Sequence, residues 1–326
     1  MIKVDHVTKT FGPKRAVDDV SFTVERGEVL GFLGPNGAGK STTMRAITGF
    51  IPVDSGSVSV CGFDVSSKPI EAKRRIGYLP ESAPTYTDMS VIGFLGWAAD
   101  MRSLRGDDKK RAIHRAIELC SLDSVIHQSI DTLSKGFRHR TCLAQAIVHD
   151  PDVLIMDEPT DGLDPNQKHE VRSLIRRMSA NKAIIFSTHI LEEVEEACTR
   201  AIIIDRGRIV ANGTPTELKA RSDRAGAVVL TVSGAPSAAV TETVGRFPEV
   251  SRTELVSAEN DRTTIRAYPN RGGVNGALAA FIARGLATTG WSIDGLRTEE
   301  GRLDDVFRTL TRPDAVAVAV AVAPAR

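Results

Sequence analysis

Gly34-Pro35-Asn36-Gly37-Ala38-Gly39-Lys40-Ser41 satisfies the pattern G-x-x-x-x-G-K-[ST] at every position. An octapeptide of this kind cradles phosphate. Its glycines let the backbone turn so that successive N–H groups point inward, while Lys40 supplies a point charge and Ser41 a hydroxyl for Mg²⁺. The flanks agree with that reading: Val29-Leu30-Gly31-Phe32-Leu33 has the look of a buried strand just before the loop, and Ser41 to Ile47 reads as the helix just after it. A merely tight glycine-rich strand-to-helix turn is the alternative, and this context weighs against it.

A chain of 326 residues is long enough for two cores and needs neither metal nor disulfide staples. Forty-two basic against 41 acidic residues leave a formal charge of +1, so no global field favours nucleic acid or an anionic membrane. The four cysteines, Cys61, Cys120, Cys142 and Cys198, form no C-x-x-C pair and are expected to be reduced, buried thiols of a cytosolic protein. Met1 to Val7 alternates like a strand and lacks the layout of a signal peptide, so no export signal is expected. No uninterrupted apolar stretch approaches the roughly 20 residues that span a bilayer.

Strand-like segments with turn signals, including Val20 to Val24 and Ser57 to Cys61, surround the phosphate loop and predict a β-rich subdomain. Residues 66 to 150 turn charged and helical; Ile113, Ala116, Ile117 and Leu119 fall at helical spacing within Asp107 to Leu119. Buried parallel strands are predicted at Val153 to Met156, Ala183 to Phe186 and Ala201 to Ile204, separated by helical stretches such as Gln167 to Met178. Past about residue 221 the predicted order is strand, helix, strand, strand, helix, strand, the ferredoxin-like arrangement, with the helices near Ala238 to Phe247 and Val274 to Ala287. The expected domains are therefore 1–221, with a helical part near 80–150, and 222–311. A tail over 312–326, rich in alternating alanine and valine, is expected to be disordered.

Asp157 and Glu158 emerge together at the carboxyl end of the strand Val153 to Met156, where ligands sit in open α/β sheets. Asp157 would hold Mg²⁺, directly or through water, as the acidic partner of Ser41. Glu158 stays free to take a proton from a water beside a γ-phosphate. Their alternative role is to cap the following turn. Leu133-Ser134-Lys135-Gly136-Phe137 opens a further helical stretch with Ser134 as a natural N-cap, and the exposed N–H groups there attract anions.

The order of these motifs resembles the ATP-binding subunits of ABC transporters, over roughly residues 1 to 220. Walker A is Gly34 to Ser41, the signature is Leu133 to Phe137, and Walker B is Val153 to Asp157 followed by Glu158. The aspartate loop is Gly162-Leu163-Asp164-Pro165, and Ser187-Thr188-His189 carries the switch histidine. Gly77-Tyr78-Leu79-Pro80-Glu81 and the tail segment Arg302 to Phe307 look like the gliding-motility, copper-processing and drug-export group. The fold implied is α/β: a P-loop NTPase of ABC type, with a mixed or parallel sheet core, an antiparallel β subdomain and a helical subdomain, plus a small α+β ferredoxin-like C-terminal domain.

The resemblance also implies a mechanism. Two subunits pair head to tail as a homodimer, each ATP lying between one subunit's Gly34 to Ser41, with Thr42, and the other's Ser134 to Gly136. Glu158 polarises water, His189 contacts the γ-phosphate beside Lys40, and Asp164 links the two sites. Mg²⁺ would be met by Ser41, Asp157 and Glu81, and Phe11 would stack on adenine, although a simple core phenylalanine is the rival reading. Glu81 stands where the broad family has glutamine, and Lys135 and Phe137 depart from its signature; the close group shares these changes. Asp164 before Pro165 is equally an N-cap with proline at the first helical position. Glu81 through Arg105, with Trp97 and Met101 one turn apart, is where the family meets its membrane subunit. The expected function is ATP hydrolysis that powers a separate membrane-spanning permease, with export as the direction, from the cytoplasmic face of the membrane. The alternative is a soluble ABC-type ATPase acting on ribosomes or DNA, which the single phosphate loop and near-neutral charge disfavour.

Overall fold

The computed structural model describes every residue except 83–84, 260, 271–276 and 312–326. Over the described residues the chain divides into two compact units, Met1–Pro215 and residues 216–311. The expected alanine and valine tail lies outside the described residues, as do the first residues of the helix expected from Val274.

In the first unit, β1 (Ile2–Phe11), β2 (Lys14–Val24), β4 (Ser55–Val60) and β5 (Phe63–Asp64) form an antiparallel sheet in the order β2-β1-β4-β5. A second sheet contains β3 (Val29–Leu33), β6 (Ile76–Leu79), β7 (Val153–Asp157), β8 (Ala183–Thr188), β9 (Arg200–Asp205) and β10 (Arg208–Gly213). Its order is β10-β9-β3-β8-β7-β6, parallel throughout except for the edge hairpin of β9 and β10. The apolar runs of its central strands follow from burial on both faces. Leu30, Phe32, Val153, Ile155 and Ile185 point into a core shared with the antiparallel sheet and with α1 (Lys40–Ile47). Val29, Leu154, Met156, Ile184 and Phe186 point the other way, into a core built with helices. Those helices are α3 (Val91–Met101), α4 (Gly106–Cys120), α5 (Lys135–Ile147) and α6 (Pro165–Ser179); α2 (Pro69–Arg74) and α7 (Leu191–Ala197) complete the first unit, and α8 (Pro215–Lys219) begins at the boundary. The four cysteines are free, and burial pushes the Cys120 and Cys142 thiols up to about 12.

The second unit carries β11 (Val228–Ser233), α9 (Ser237–Gly245), β12 (Val250–Glu259), β13 (Arg262–Pro269), α10 (Ala277–Leu286) and β14 (Ser292–Thr298), then α11 (Leu303–Leu310). Its sheet is antiparallel in the order β12-β13-β11-β14, the ferredoxin-like arrangement. Val228, Leu230, Val232, Ile265 and Ala267 face α9 and α10 and make its core with Val240, Val244 and Ile282.

Candidate functional site

The carboxyl ends of β3, β7 and β8 converge on a cavity of about 540 Å³. The turn from β3 into α1 makes its floor. Gly39 stands at φ 112°, outside the range open to side-chain-bearing residues, and a Cβ there would lie 2.4 Å from the Ala16 carbonyl oxygen. Gly34 is excluded from substitution by packing instead, since its Cβ would approach Ile204 O to 2.5 Å. Gly39 is the N-cap of α1 and offers no side-chain cap, so the first N–H groups of that helix face the cavity end unpaired by a side chain.

Pro35, Asn36, Gly37, Gly39, Lys40, Ser41 and Thr42 all line the cavity, together with Glu81, Glu158 and His189. Gly34 and Ala38 do not, and their roles are local: Gly34 O accepts from Lys40 Nζ at 2.8 Å, and Ala38 O accepts from the Gly207 N–H at 2.8 Å. Lys40 is only 6% exposed, and its ammonium lies 3.4 Å from Glu158 Oε1. The other carboxylate oxygen, Glu158 Oε2, is 2.9 Å from His189 Nδ1. Asp157 sits behind this wall, 1% exposed, accepting from Ser187 Oγ at 2.5 Å. Ser187 Oγ in turn accepts from the Glu158 N–H at 3.0 Å. Glu158 holds φ 51°, a left-handed backbone uncommon for a residue with a side chain, and this bridge fixes it.

Phe11, Ser134, Gly136 and Asp164 lie outside that cavity. Phe11 is half exposed at the end of β1, with Lys9 Nζ 5.5 Å from its ring centroid. Ser134 caps α5, accepting from the Phe137 N–H at 3.3 Å, and Asp164 caps α6, accepting from the Gln167 N–H at 2.9 Å with Pro165 next. Both are exposed. Gly136 is pressed against the Gln167 side chain, and Lys135 Nζ lies 3.6 Å from Asp161 Oδ2, so the start of α5 is docked on the turn that begins α6. The departing residue Phe137 is half-buried beneath the Arg140 guanidinium, 5.6 Å from its ring centroid.

Lys14, Ala16 and Asp161 also line the cavity, and none was singled out by motif. Lys14 comes from β2, whose approach to the loop is set by sheet pairing, and Asp161 is one residue ahead of the expected aspartate loop. Ser187 was read only as part of the histidine motif, whereas its hydroxyl joins Asp157 to the backbone of Glu158.

The donors available to a metal are hard oxygens: the Ser41 hydroxyl and Glu81 on the wall and Asp157 behind it. No cluster of three or more His, Cys, Asp or Glu that could hold a metal occurs among the described residues. This donor set fits Mg²⁺, which is commonly held by one or two carboxylates, with water and substrate phosphates filling the rest.

The profile described as ABC transporter matches residues 17–161. The linearmycin resistance ATP-binding protein LnrL of Bacillus subtilis (strain 168) is 36% identical over 236 residues, covering 72% of this chain and 76% of that protein. The chain belongs to the ABC transporter family. The Nod factor export ATP-binding protein I of Paraburkholderia xenovorans (strain LB400) is 36% identical over 78% of this chain and 83% of its own length. A solved ATP-binding subunit of an ABC transporter superposes with a TM-score of 0.63 at 29% identity, covering 67% of this chain and 92% of that one. As a member of that family the chain is an ATP-binding, ATP-hydrolysing subunit that powers a transporter. No helix among the described residues is long and apolar enough to cross a membrane.

Proposed function

We propose that hydrolysis runs on Glu158, with its carboxylate as the general base for a water poised at the γ-phosphate. The observation that carries this is the placement of one carboxylate between Lys40 and His189, on a wall shared with the phosphate loop. Lys40 and the loop N–H groups bind the phosphates, and arrival of the phosphates gives the Lys40 ammonium a second anion beside Glu158. His189, half exposed, reaches the γ-phosphate from the far side of Glu158. Mg²⁺, when bound, would neutralise charge on the β- and γ-phosphates. Ser41, Asp157 and Glu81 would hold it, with Ser187 keeping Asp157 in place. Phe11 stacks on the adenine through its exposed ring.

The second half of each site comes from another copy. Ser134 and Asp164 are exposed at the α5–α6 junction, with Gly136 buried between them against Gln167, so that the two caps can meet a partner's phosphates in a head-to-tail homodimer. The permease docks at a groove of about 880 Å³ between α2 and the end of α3. Phe50, Ile70 and Met101 are 72, 65 and 64% exposed there, beside Lys73, Arg74 and Arg102. Trp97 is not part of that apolar surface: it stacks on Phe94 at 5.9 Å and meets Tyr86 edge-on at 4.9 Å. Docking there holds the chain on the cytoplasmic face of the membrane. Export is the direction proposed, by likeness to relatives named for resistance and export.

The test is a pull-down of tagged Glu158→Gln chain from detergent-solubilised host membranes with ATP and Mg²⁺, followed by mass identification. A polytopic membrane protein is expected. Ribosomes or DNA-associated proteins in its place would overturn the permease reading.

A further inference from the structure

We propose that Glu193 is a positioning residue for hydrolysis, its buried carboxylate tying the loop that carries Glu158 to the loop that carries His189. Glu193 lies in the first turn of α7 and is 0% exposed. Thr160 Oγ1 donates to its Oε1, and Thr188 Oγ1 donates to its Oε2 at 2.7 Å. Both threonines are buried, at 3 and 0% exposure. Among the described residues no Lys, Arg or His forms an ion pair with Glu193, so the two hydroxyls are what compensate a charge taken out of water.

The positions of those hydroxyls give the carboxylate its role. Thr160 follows Glu158 by two residues, across Pro159, and Thr188 directly precedes His189. Thr188 Oγ1 also accepts from the Ile190 N–H at 3.0 Å, so the same hydroxyl pins the turn into α7. One carboxylate therefore fixes both chain segments whose side chains meet at Glu158 and His189. Glu158 needs that constraint, because its φ of 51° is a conformation a side-chain-bearing residue leaves when its surroundings loosen. Ser187 holds the N–H of Glu158, and Glu193 holds the chain just beyond it. Glu193 is not on the cavity wall, so it acts through the two loops and not on the nucleotide.

This inference rests on the reading of Glu158 as the base. The experiment uses the full chain and measures phosphate release, ATP–Mg²⁺ affinity and melting temperature for Glu193→Ala, Glu193→Gln and Thr160→Val, each alone and combined with Glu158→Gln. Glu193→Ala and Thr160→Val should lower kcat by about 10-fold or more, the scale of a misplaced reacting group, with nucleotide affinity unchanged. Glu193→Gln should recover most of that loss, since its amide oxygen accepts from one threonine and its NH₂ donates to the other. On the Glu158→Gln background, Glu193→Ala should cost nothing further.

Unchanged kcat in both Glu193→Ala and Thr160→Val would overturn the tie. An equal loss on the Glu158→Gln background, or a parallel loss of nucleotide affinity, would overturn it too. If Glu193→Ala does not fold, Thr160→Val against Thr160→Ser decides: loss with valine and recovery with serine supports the tie, and the same rate in both refutes it. Parental turnover in Glu158→Gln alone would sink the base assignment, a result separate from the Glu193 and Thr160 series.

Discussion

Lys40, Glu158 and His189 meet around one cavity, whereas Ser134, Gly136 and Asp164, in the same unit, lie outside it: Ser134 and Asp164 cap their own helices, and Gly136 packs on Gln167 of α6. The first group is built on buried supports: Lys40 at 6%, Asp157 at 1% and Ser187 at 0% exposure, each with a hydrogen bond at 3.0 Å or less. In the second, Ser134 and Asp164 are exposed while Gly136 is buried, and the Lys135–Asp161 pair that joins its two turns has both side chains more than half exposed. A pair of that kind contributes little to stability. One region is thus held firmly around the cavity proposed to take phosphate, and the other can rearrange cheaply when something outside the chain meets it. Two such regions on one chain suit the proposed homodimer with two shared sites.

The largest effect that could break this contrast comes from Glu158. Glu158→Gln keeps the shape of the side chain and its neighbours but removes the base, so turnover should fall at least about 10²-fold while ATP binding persists. Phosphate release and equilibrium nucleotide titration read the two quantities separately, and undiminished turnover would show the preorganised region to be something other than the catalytic one. Lys40→Ala comes next. Losing a cationic donor to phosphate should weaken ATP binding by roughly 10- to 100-fold, the scale of a hydrogen bond to a charged group. Normal affinity in that variant would refute the phosphate role.

Ser134→Asp sharpens the comparison at the other region. Aspartate caps a helix about as well as serine, so α5 and the melting temperature should be kept. If Ser134 only caps, nothing else changes. If it meets a partner's γ-phosphate, the new negative charge should lower turnover by at least about 10-fold, with ATP binding to the isolated subunit unaffected. Parental turnover together with parental stability would reduce Ser134 to a cap.

How much of this was legible in advance follows the range of the interactions involved. The phosphate loop, the strands at β3, β7 and β8, and the second unit's strand and helix order all rest on local pattern, which a linear reading captures. Lys14 reaches the cavity only because β2 is brought over the loop, and Glu193 matters only because α7 folds beneath both Thr160 and Thr188. Spacing could not separate Trp97 from Met101. They are one turn apart on α3, a helix apolar on most of its surface, yet Trp97 packs in an aromatic cluster while Met101 is exposed. Ser134 and Asp164 read correctly as caps because the cap motif is itself local.

The smallest effect concerns stability against pH, and it compares buried histidines with an exposed one. His139, one turn past Lys135 on α5, is 5% exposed with both ring nitrogens unpartnered, and burial pulls it down to about 4. His149, whose Nε2 lies 3.1 Å from Ile76 O, is pulled down to about 4 by burial as well. Unfolded, each takes a proton as pH falls through its ordinary 6.5; folded, each stays neutral until about 4. Between those values the unfolded chain binds more protons, so stability is full above 6.5 and declines as pH falls, by at most about 1.4 kcal/mol per pH unit for each histidine. His6 has the opposite sign: its hydrogen bond to Asp19 raises it, giving stability below the ordinary value that is lost as pH rises, but it is fully exposed and adds little. The hydrogen-bonded carboxylates Asp18, Asp54 and Asp150 are lowered below 3.8, so their losses fall in a more acidic window. Denaturant melts of the full chain from pH 7 to pH 4 should therefore show a slope that His139→Leu flattens, because the variant keeps a buried side chain and removes the proton site. An unaltered slope in a folded His139→Leu chain would mean that this ring finds a partner or water that lets it protonate in place, and the buried, neutral state assigned to His139 would have to be given up.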